Sequence, residues 1–166
     1  GGWSLNGFFS AYSGAPFTVT ASGSSLLAAG STQTADFLSS AKLTGQRGPG
    51  TQYMDISAFR DPNVNRPDGV YRFGTTGRNA FRGPGFFKLD ASVFKNFTLT
   101  ERFVLQFKAE GYNITNRTRF NNPNADVSSA LFDASGHIID PRDFMAITRA
   151  SRDQDRQFRF GLRLSF

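Results

Sequence analysis

The chain is poor in the residues that build disulfides, metal sites and membrane helices. It has 166 residues, with Cys 0, Trp 1 and His 1. Without cysteine it can form neither a disulfide framework nor a thiolate metal site. No apolar run approaches the roughly 20 residues of a membrane-spanning helix, which excludes a helical membrane protein. The strands of a membrane barrel show only a weaker, alternating pattern, so the lack of a long apolar run does not exclude a barrel.

Candidates for catalysis or metal binding are equally few. His137 is the only histidine, so it can form no histidine pair, and a Ser-His-Asp triad would depend on it. Asp61-x-Asn63-x-Asn65 is similar to the start of a calcium loop, but Arg66 and Arg72 stand where that loop needs glycine and an acid. Gly74-Thr-Thr-Gly77-Arg78 lacks the Gly-Lys-Ser/Thr of a phosphate loop. We therefore expect no enzyme, no cofactor and no metal site.

Phenylalanine and basic residues are abundant. The chain has Phe 19, Gly 17, a net charge of +6 and a pI near 10.2. Phenylalanine favours strands, and the basic balance is typical of a solvated surface, an anionic membrane surface or a nucleic-acid site. The arginines fall in separate loop-like segments without an RNA-binding motif, so we expect no nucleic-acid partner.

The chain begins at Gly1, without an initiator methionine. No basic segment followed by an apolar one comes after it, so we expect no signal peptide within these residues. We expect that it begins inside a longer protein whose secretion signal would lie upstream.

Four segments alternate apolar and polar residues with period two, which predicts strands with two different faces. They cover about residues 3–12, 87–97, 103–112 and 156–166, near the length of ~9–11 residues of a tilted membrane crossing. One face would carry, among others, Phe103, Leu105, Phe107, Phe158, Phe160, Leu162 and Leu164. The other would carry Lys88, Asp90, Lys108, Glu110, Arg159 and Arg163. This alternation alone fits either a membrane barrel or a soluble sandwich.

The connections favour the barrel. A tight turn near Thr98-Leu-Thr100 joins the second and third strands, whereas residues 13–86 and 113–155 form long loops, with a short helix expected near 35–42. Structureless loops of this length are uncommon in compact soluble domains, and short turns opposite long loops are typical of outer-membrane barrels. We predict an all-β fold in which antiparallel strands form the last part of a transmembrane β-barrel, about four strands with two long extracellular loops.

The charges predict a register for the hairpin between the second and third strands. With Phe97 opposite Glu101, Asp90 faces Lys108 and Lys88 faces Glu110. Opposite charges across a strand pair help by ~0.2–1 kcal/mol, and like charges oppose pairing. The same register would set Phe107 against Ala91 and Ser92 against Gln106.

Several segments together are similar to a known family. They are Ser13-Gly-Ala-Pro-Phe-Thr18, Tyr53-Met-Asp-Ile-Ser-Ala-Phe59, Phe73-Gly-Thr-Thr-Gly-Arg-Asn-Ala-Phe-Arg-Gly-Pro-Gly85, Leu89-Asp-Ala-Ser-Val-Phe-Lys-Asn-Phe97 and Leu105-Gln-Phe-Lys-Ala-Glu-Gly-Tyr-Asn-Ile-Thr-Asn116. In order and spacing they resemble the C-terminal barrel of TonB-dependent outer-membrane receptors. They resemble in particular the Oar-like subgroup, which carries a carboxypeptidase-regulatory-like domain at its N-terminus. Gly111 departs from the family, where an aromatic is usual, and would thin the outer face of the third strand.

This resemblance implies a function in transport. Such receptors have a barrel of about 22 strands closed by an N-terminal plug, and they import a scarce ligand with energy from the TonB complex, which acts through the plug. The whole of residues 1–166 would then be the C-terminal part of one barrel domain in the bacterial cell outer membrane. Its C-terminus and the Thr98 turn would face the periplasm, and its long loops the exterior. The alternative is a soluble or secreted β-sandwich that binds glycan or another surface ligand.

The resemblance also assigns roles to residues. Phe166 would be the assembly signal read by the barrel-assembly machinery. The apolar set named above would face outer-membrane lipid, and the charged set would face the lumen. Six arginines are candidate ligand-gathering loop residues: Arg78, Arg82, Arg117, Arg119, Arg149 and Arg152.

Overall fold

The computed structural model describes residues 1–26, 31–64, 71–151 and 155–166. In these ranges the chain is all-β. The strands are β1 (Trp3–Tyr12), β2 (Pro16–Phe17), β3 (Thr20–Ser22), β4 (Thr32–Thr34), β5 (Asp36–Phe37), β6 (Phe59–Arg60), β7 (Phe81–Arg82), β8 (Phe86–Thr98), β9 (Val104–Tyr112), β10 (Leu131–Phe132), β11 (Ile138–Asp140) and β12 (Gln157–Ser165). Single 3-10 turns cover Ser24–Leu26, Ile56–Ala58 and Val127–Ser129. Among these residues no helix has the length and apolar character to cross a bilayer.

The helix predicted near residues 35–42 is wrong. Asp36 and Phe37 form β5, which pairs with Phe59 and Arg60 of β6. These residues pair with a partner strand instead of forming a helix, and the Phe37 and Phe59 rings lie 5.8 Å apart. A long-range partner thus overrides the local preference.

The four long strands form one antiparallel sheet in the order β1-β8-β9-β12. Their bounds agree with the four predicted segments to within one residue at each end. Phe103 was predicted to lie in the third strand, but it lies just before β9. The sheet is open, with β1 and β12 as its edges.

The register of the four strands places most large apolar side chains on one side of the sheet and the charged side chains on the other. Leu5 pairs with Val93, Val93 with Ala109, and Ala109 with Phe160, so all lie on one face. We call this the apolar face; its large residues are Trp3, Leu5, Phe9, Phe87, Leu89, Val93, Phe97, Leu105, Phe107, Phe158, Phe160, Leu162 and Leu164. The opposite side, the polar face, includes Asn6, Lys88, Asp90, Ser92, Asn96, Gln106, Lys108, Glu110, Arg159 and Arg163.

The predicted hairpin register is wrong by four positions. Phe97 pairs with Leu105 rather than with Glu101, and Lys95 rather than Ala91 stands opposite Phe107. A shift by an even number of residues leaves every side chain on its predicted face, which is why the faces agree although the partners differ. Ser92 consequently faces Glu110.

Two features explain this register. The turn covers residues 99–103 and is closed by the Leu99 N–H donating to the Phe103 carbonyl at 2.9 Å, so it is longer than the predicted turn. The charges pair along each strand instead of across the hairpin, with Lys88 Nζ 2.9 Å from Asp90 Oδ2 and Lys108 Nζ 2.7 Å from Glu110 Oε1. Attraction between opposite charges on β8 and β9 therefore does not determine the register of this hairpin.

The chain divides into two compact units. The sheet unit comprises Gly1–Tyr12, Gly85–Arg119 and Ser151–Phe166, and the connection unit comprises Ser13–Pro84 and Phe120–Ala150. The prediction that the two long connections are structureless is wrong, because they fold together around a shared core. Its most deeply buried large side chains are Val19, Val127, Phe144 and Met145.

Backbone hydrogen bonds join the two connections within this unit. Thr20 N donates to Ala125 O, and Tyr53 N donates to Met145 O, both at 2.8 Å. The Phe59 and Phe144 rings meet edge to face at 5.9 Å. Each connection therefore supplies core residues and hydrogen-bond partners that the other lacks.

The glycine-rich segment 73–85 is largely exposed but packs closely against its neighbours at a few positions. A Cβ built on Gly74 would lie 1.9 Å from Thr34 O, and one on Gly83 would lie 2.2 Å from Asn122 Oδ1. The buried Thr76 hydroxyl donates to Ala35 O at 2.7 Å. Gly74 is thus needed for close backbone packing, whereas Gly83 packs against the Asn122 side chain.

Candidate functional surfaces

The apolar face of the sheet unit is open to the surroundings. The residues Phe160 and Leu162 are 72% and 71% exposed, and Leu5 is 76% exposed. Isolated apolar side chains on a surface are ordinary, but a contiguous patch across four strands marks a surface that meets another apolar phase or partner. Gly111 does not thin this face as expected, because the Phe158 ring covers it at 3.1 Å from a Cβ built there.

Cationic side chains lie over aromatic rings at both ends of the apolar face. At the end near residues 99–103, Lys95 Nζ is 5.0 Å from the centre of the Trp3 ring and 5.5 Å from that of Phe97. At the other end, Arg117 lies 4.7 Å over Phe87 and Arg156 lies 5.9 Å over Phe158. Such pairs suit the boundary between an apolar phase and water, because the ring and the aliphatic stem can lie in the apolar phase while the charged group reaches water.

The distance between these ends matches a membrane. From Phe87 to Phe97 the strand rises about 34 Å at ~3.4 Å per residue. At a strand tilt of about 40° this corresponds to a height of about 26 Å, close to the ~25 Å apolar band of outer-membrane barrels. The structure adds the residues at its lower boundary, where Lys95 interrupts the apolar period and lies over the Trp3 and Phe97 rings.

The polar face carries four basic and two acidic side chains, and both acids form ion pairs with lysines. Besides the ion pairs within β8 and β9, Arg159 stands opposite Glu110 and lies 5.1 Å over the Tyr112 ring. Phe94, an exception to the alternation, is covered by Lys108, whose Nζ lies 5.6 Å from the ring centre. Gln106 Nε2 donates to Asn96 Oδ1 at 2.9 Å across the hairpin. Such a face can line a water-filled space, whereas burying it away from water would carry a desolvation penalty.

Comparison with known protein families identifies the domain to which this sheet belongs. The model of one family, described as outer membrane beta barrel domain, matches residues 1–159. The chain belongs to this family. No curated protein and no solved structure matches the chain.

As an outer membrane beta barrel domain, the chain is a bacterial outer-membrane component with an all-β fold. The match indicates no enzyme family. The four-stranded sheet is not closed on itself, and about eight strands are the smallest number that makes a barrel. A soluble sandwich, the alternative considered from sequence, would need its apolar face covered, whereas here that face is exposed.

The terminal Phe166 lies beside Phe103. The rings of Phe103 and Phe166 are 6.3 Å apart, and Phe166 is 94% exposed. Phe103 lies at the end of the turn, one residue before β9. Lys95 is the functional candidate that sequence reasoning missed, and its signal was a lysine at an apolar position beside a tryptophan across the strand pair.

The structure places the six candidate arginines on different segments. Arg117 and Arg119 belong to the sheet unit, whereas Arg78, Arg82 and Arg149 belong to the connection unit. Arg82 is engaged, because its Nη1 donates to Gly14 O at 3.2 Å. Arg78 and Arg149 are exposed, and Arg152 lies outside the described residues.

The remaining polar candidates are used in local structure. Asp61 is buried, accepts from Asn63 N at 2.8 Å and receives a hydrogen bond from the Ser128 hydroxyl; Asn65 and Arg66 lie outside the described residues. The exposed His137 N–H donates to Asp133, and this and the neighbouring hydrogen bonds hold the pKa of the Asp133 carboxyl below its usual value. Within the described ranges no cluster of three or more His, Cys, Asp or Glu could hold a metal ion.

Proposed function

We propose that the chain is the C-terminal barrel wall of a TonB-dependent importer, with its connection unit contributing to ligand capture. The observation that carries this proposal is the two-faced sheet, whose apolar band is bounded by cation–aromatic pairs and whose reverse side is charged. An importer wall needs both surfaces, one against lipid and one against a water-filled or plugged lumen. The order of the segments resembling TonB-dependent receptors adds the transport role.

In this proposal the residues of the apolar face contact outer-membrane lipid. Phe158, Phe160, Leu162 and Leu164 of β12, with Leu105 and Phe107 of β9, are the central members. Phe103 and Phe166 would lie near the periplasmic boundary with Lys95 and Trp3. Phe166, exposed at the end of the last strand, is the residue that we propose the barrel-assembly machinery recognises.

The charged residues of the polar face would line the lumen. Lys88, Asp90, Lys108 and Glu110 form ion pairs along their strands, and Arg159 and Arg163 continue the charged row on β12. A plug carried upstream by the same protein would pack within this lumen and connect to the TonB complex. The remaining strands of the barrel would pair with the free edges of β1 and β12.

Uptake by cells tests the transport role. Cells carrying the full-length receptor, a receptor deletion, or the receptor without a functional TonB would be grown in the same complex medium. Mass spectrometry of the spent media should reveal at least one solute that is depleted only when receptor and TonB are both present. Equal depletion in all three cultures, or depletion that persists without TonB, would refute TonB-dependent import.

The arginines are tested by point substitution instead of by deleting the second connection. Removing residues 118–152 would take away Val127, Phe144 and Met145 from the core, so lost binding would report only unfolding. We expect Arg78→Gln and Arg149→Gln in the full receptor to reduce uptake of the solute found above, without changing the amount of receptor in the membrane. Arg82→Gln is less informative because it also removes the hydrogen bond to Gly14. Unchanged uptake in the double variant of Arg78 and Arg149 would exclude these two from ligand gathering.

A further inference from the structure

A polar cleft opens in the connection unit between residues 121–124 and 143–149. It has a volume of about 380 Å³, and its lining includes Asn121, Asn124, Asp143, Thr148 and Arg149. Volumes of this order admit a small ligand, although most small-molecule pockets are more apolar. The composition of the lining therefore indicates a ligand that is itself polar.

The two walls of the cleft are fixed by backbone hydrogen bonds. Asn121 N donates to Arg149 O at 3.1 Å, and Asn124 N donates to Ala146 O at 3.0 Å. Phe144 and Met145, in the second wall, are fully buried in the core. Little backbone ordering is then needed when a ligand enters, which lowers the entropic cost of binding.

The side chains in the cleft fall into two groups. Asn122 and Asn124 serve the fold, because Asn122 Nδ2 donates to Pro16 O and Asn124 Oδ1 accepts from Asp126 N. In the part of the chain that the structure describes, the side chains of Asn121, Asp143, Thr148 and Arg149 have no hydrogen bond or ion pair. This second group is available to a ligand.

We propose that this cleft binds a neutral sugar. A sugar hydroxyl donates and accepts at once, and the free groups match both functions: the Asn121 amide and Thr148 hydroxyl do either, Asp143 accepts and Arg149 donates. The opposite charges of Asp143 and Arg149 cancel in sum, which disfavours a strongly charged ligand. The inference concerns the connection unit alone and does not depend on TonB-coupled transport.

Ligand-observed NMR titration of the full chain tests this proposal. The protein would be held in an amine-oxide detergent, since a detergent with a sugar headgroup would compete for the cleft. The probes are the methyl glycosides of glucose, galactose and mannose, with diglycine as a zwitterion of similar size. Each would be titrated to about 100 mM, which covers weak millimolar binding, at low and at high salt.

We expect saturable binding of at least one glycoside that is insensitive to salt. Asn121→Leu and Thr148→Val should each weaken it by about three- to tenfold, the effect of losing one hydrogen bond. Thr32→Val makes the same chemical change on an exposed strand residue outside the cleft and should change nothing. Asp143→Asn keeps an acceptor and should retain glycoside binding to within about threefold.

Three results would overturn the proposal. Saturable binding of diglycine alone, lost in Asp143→Asn and weakened by salt, would identify a zwitterion site instead. An equal loss in Thr32→Val would place glycoside binding elsewhere. No saturable binding of any glycoside would exclude a sugar site, provided that the thermal unfolding of the protein shows it to be folded.

Discussion

Arginine placed on either side of one strand separates a lipid-facing surface from a luminal one. Ser92 is at the centre of β8, which runs from Phe86 to Thr98, and Val93 is the next residue. Val93 lies on the apolar face between Leu5 and Ala109, whereas Ser92 lies on the polar face opposite Glu110. The two positions are neighbours near the middle of one strand and differ chiefly in the side they face.

The expected difference follows from that depth. Val93 is one residue from the strand centre, about 2.6 Å in depth at a rise of ~3.4 Å and a tilt of about 40°. Arginine on the lipid side at the midplane costs about 2–4 kcal/mol, a change of roughly 25- to 700-fold in the folding equilibrium. Ser92→Arg would extend into a depression of about 180 Å³ lined in part by Asp90 and Glu110. It should cost less than about 1 kcal/mol, because an opposite charge faces it.

The assay is denaturant unfolding of the full-length barrel in phospholipid bilayers. The folded fraction would be followed by gel mobility without heating. Val93→Arg should lower the midpoint clearly, whereas Ser92→Arg should remain near the unsubstituted protein. Equal stability of the two variants, or a greater loss in Ser92→Arg, would refute the assignment of the apolar face to lipid.

Three further predictions concern the register and the connection unit. Cysteines introduced as Asn96→Cys and Gln106→Cys should form a disulfide in the folded protein, because these residues pair and already share a hydrogen bond. Gly74→Ala should destabilise the connection unit by at least about 1–3 kcal/mol, the cost of overpacking, as measured by thermal unfolding. Burial raises the pKa of the Tyr53 phenol, with Arg47 acting in the opposite direction. The stability that Tyr53 contributes should therefore be complete below the unfolded pKa of about 10 and be lost as the pH rises further, as read from phenolate absorbance together with unfolding.

Each of these predictions has a control within the chain. Ser92→Cys with Gln106→Cys, the pair expected from charge alone, should fail to cross-link, and success there would restore the register predicted from sequence. Gly77→Ala is the comparison for Gly74, since its nearest neighbour would be 3.6 Å from the new Cβ; equal effects would show that close packing is not the cause. Tyr53→Phe should remove the alkaline loss of stability, and persistence of the loss would assign it to another group.

The apolar and polar faces could be read from the sequence because they depend on local periodicity. Successive side chains in a strand alternate sides, so Phe158, Phe160, Leu162 and Leu164 are separated from Arg159 and Arg163 whatever the partner strand is. Strand bounds were found to within one residue for the same reason. The turn, by contrast, was placed too early, since its length depends on how Phe103 closes onto Leu99.

The register and the connection unit required the tertiary structure. A shift of the hairpin by an even number of residues preserves both faces, and single charge pairs of ~0.2–1 kcal/mol are too weak to select among such shifts. Residues 13–84 and 120–150 have little periodicity, because their core is assembled from short strands of two connections distant in the sequence. The roles of Gly74, of Lys95 at the edge of the apolar band and of Asn121 in the polar cleft depend on neighbours from other segments. Local alternation thus determined which side each strand residue faces, and long-range packing decided which residues meet.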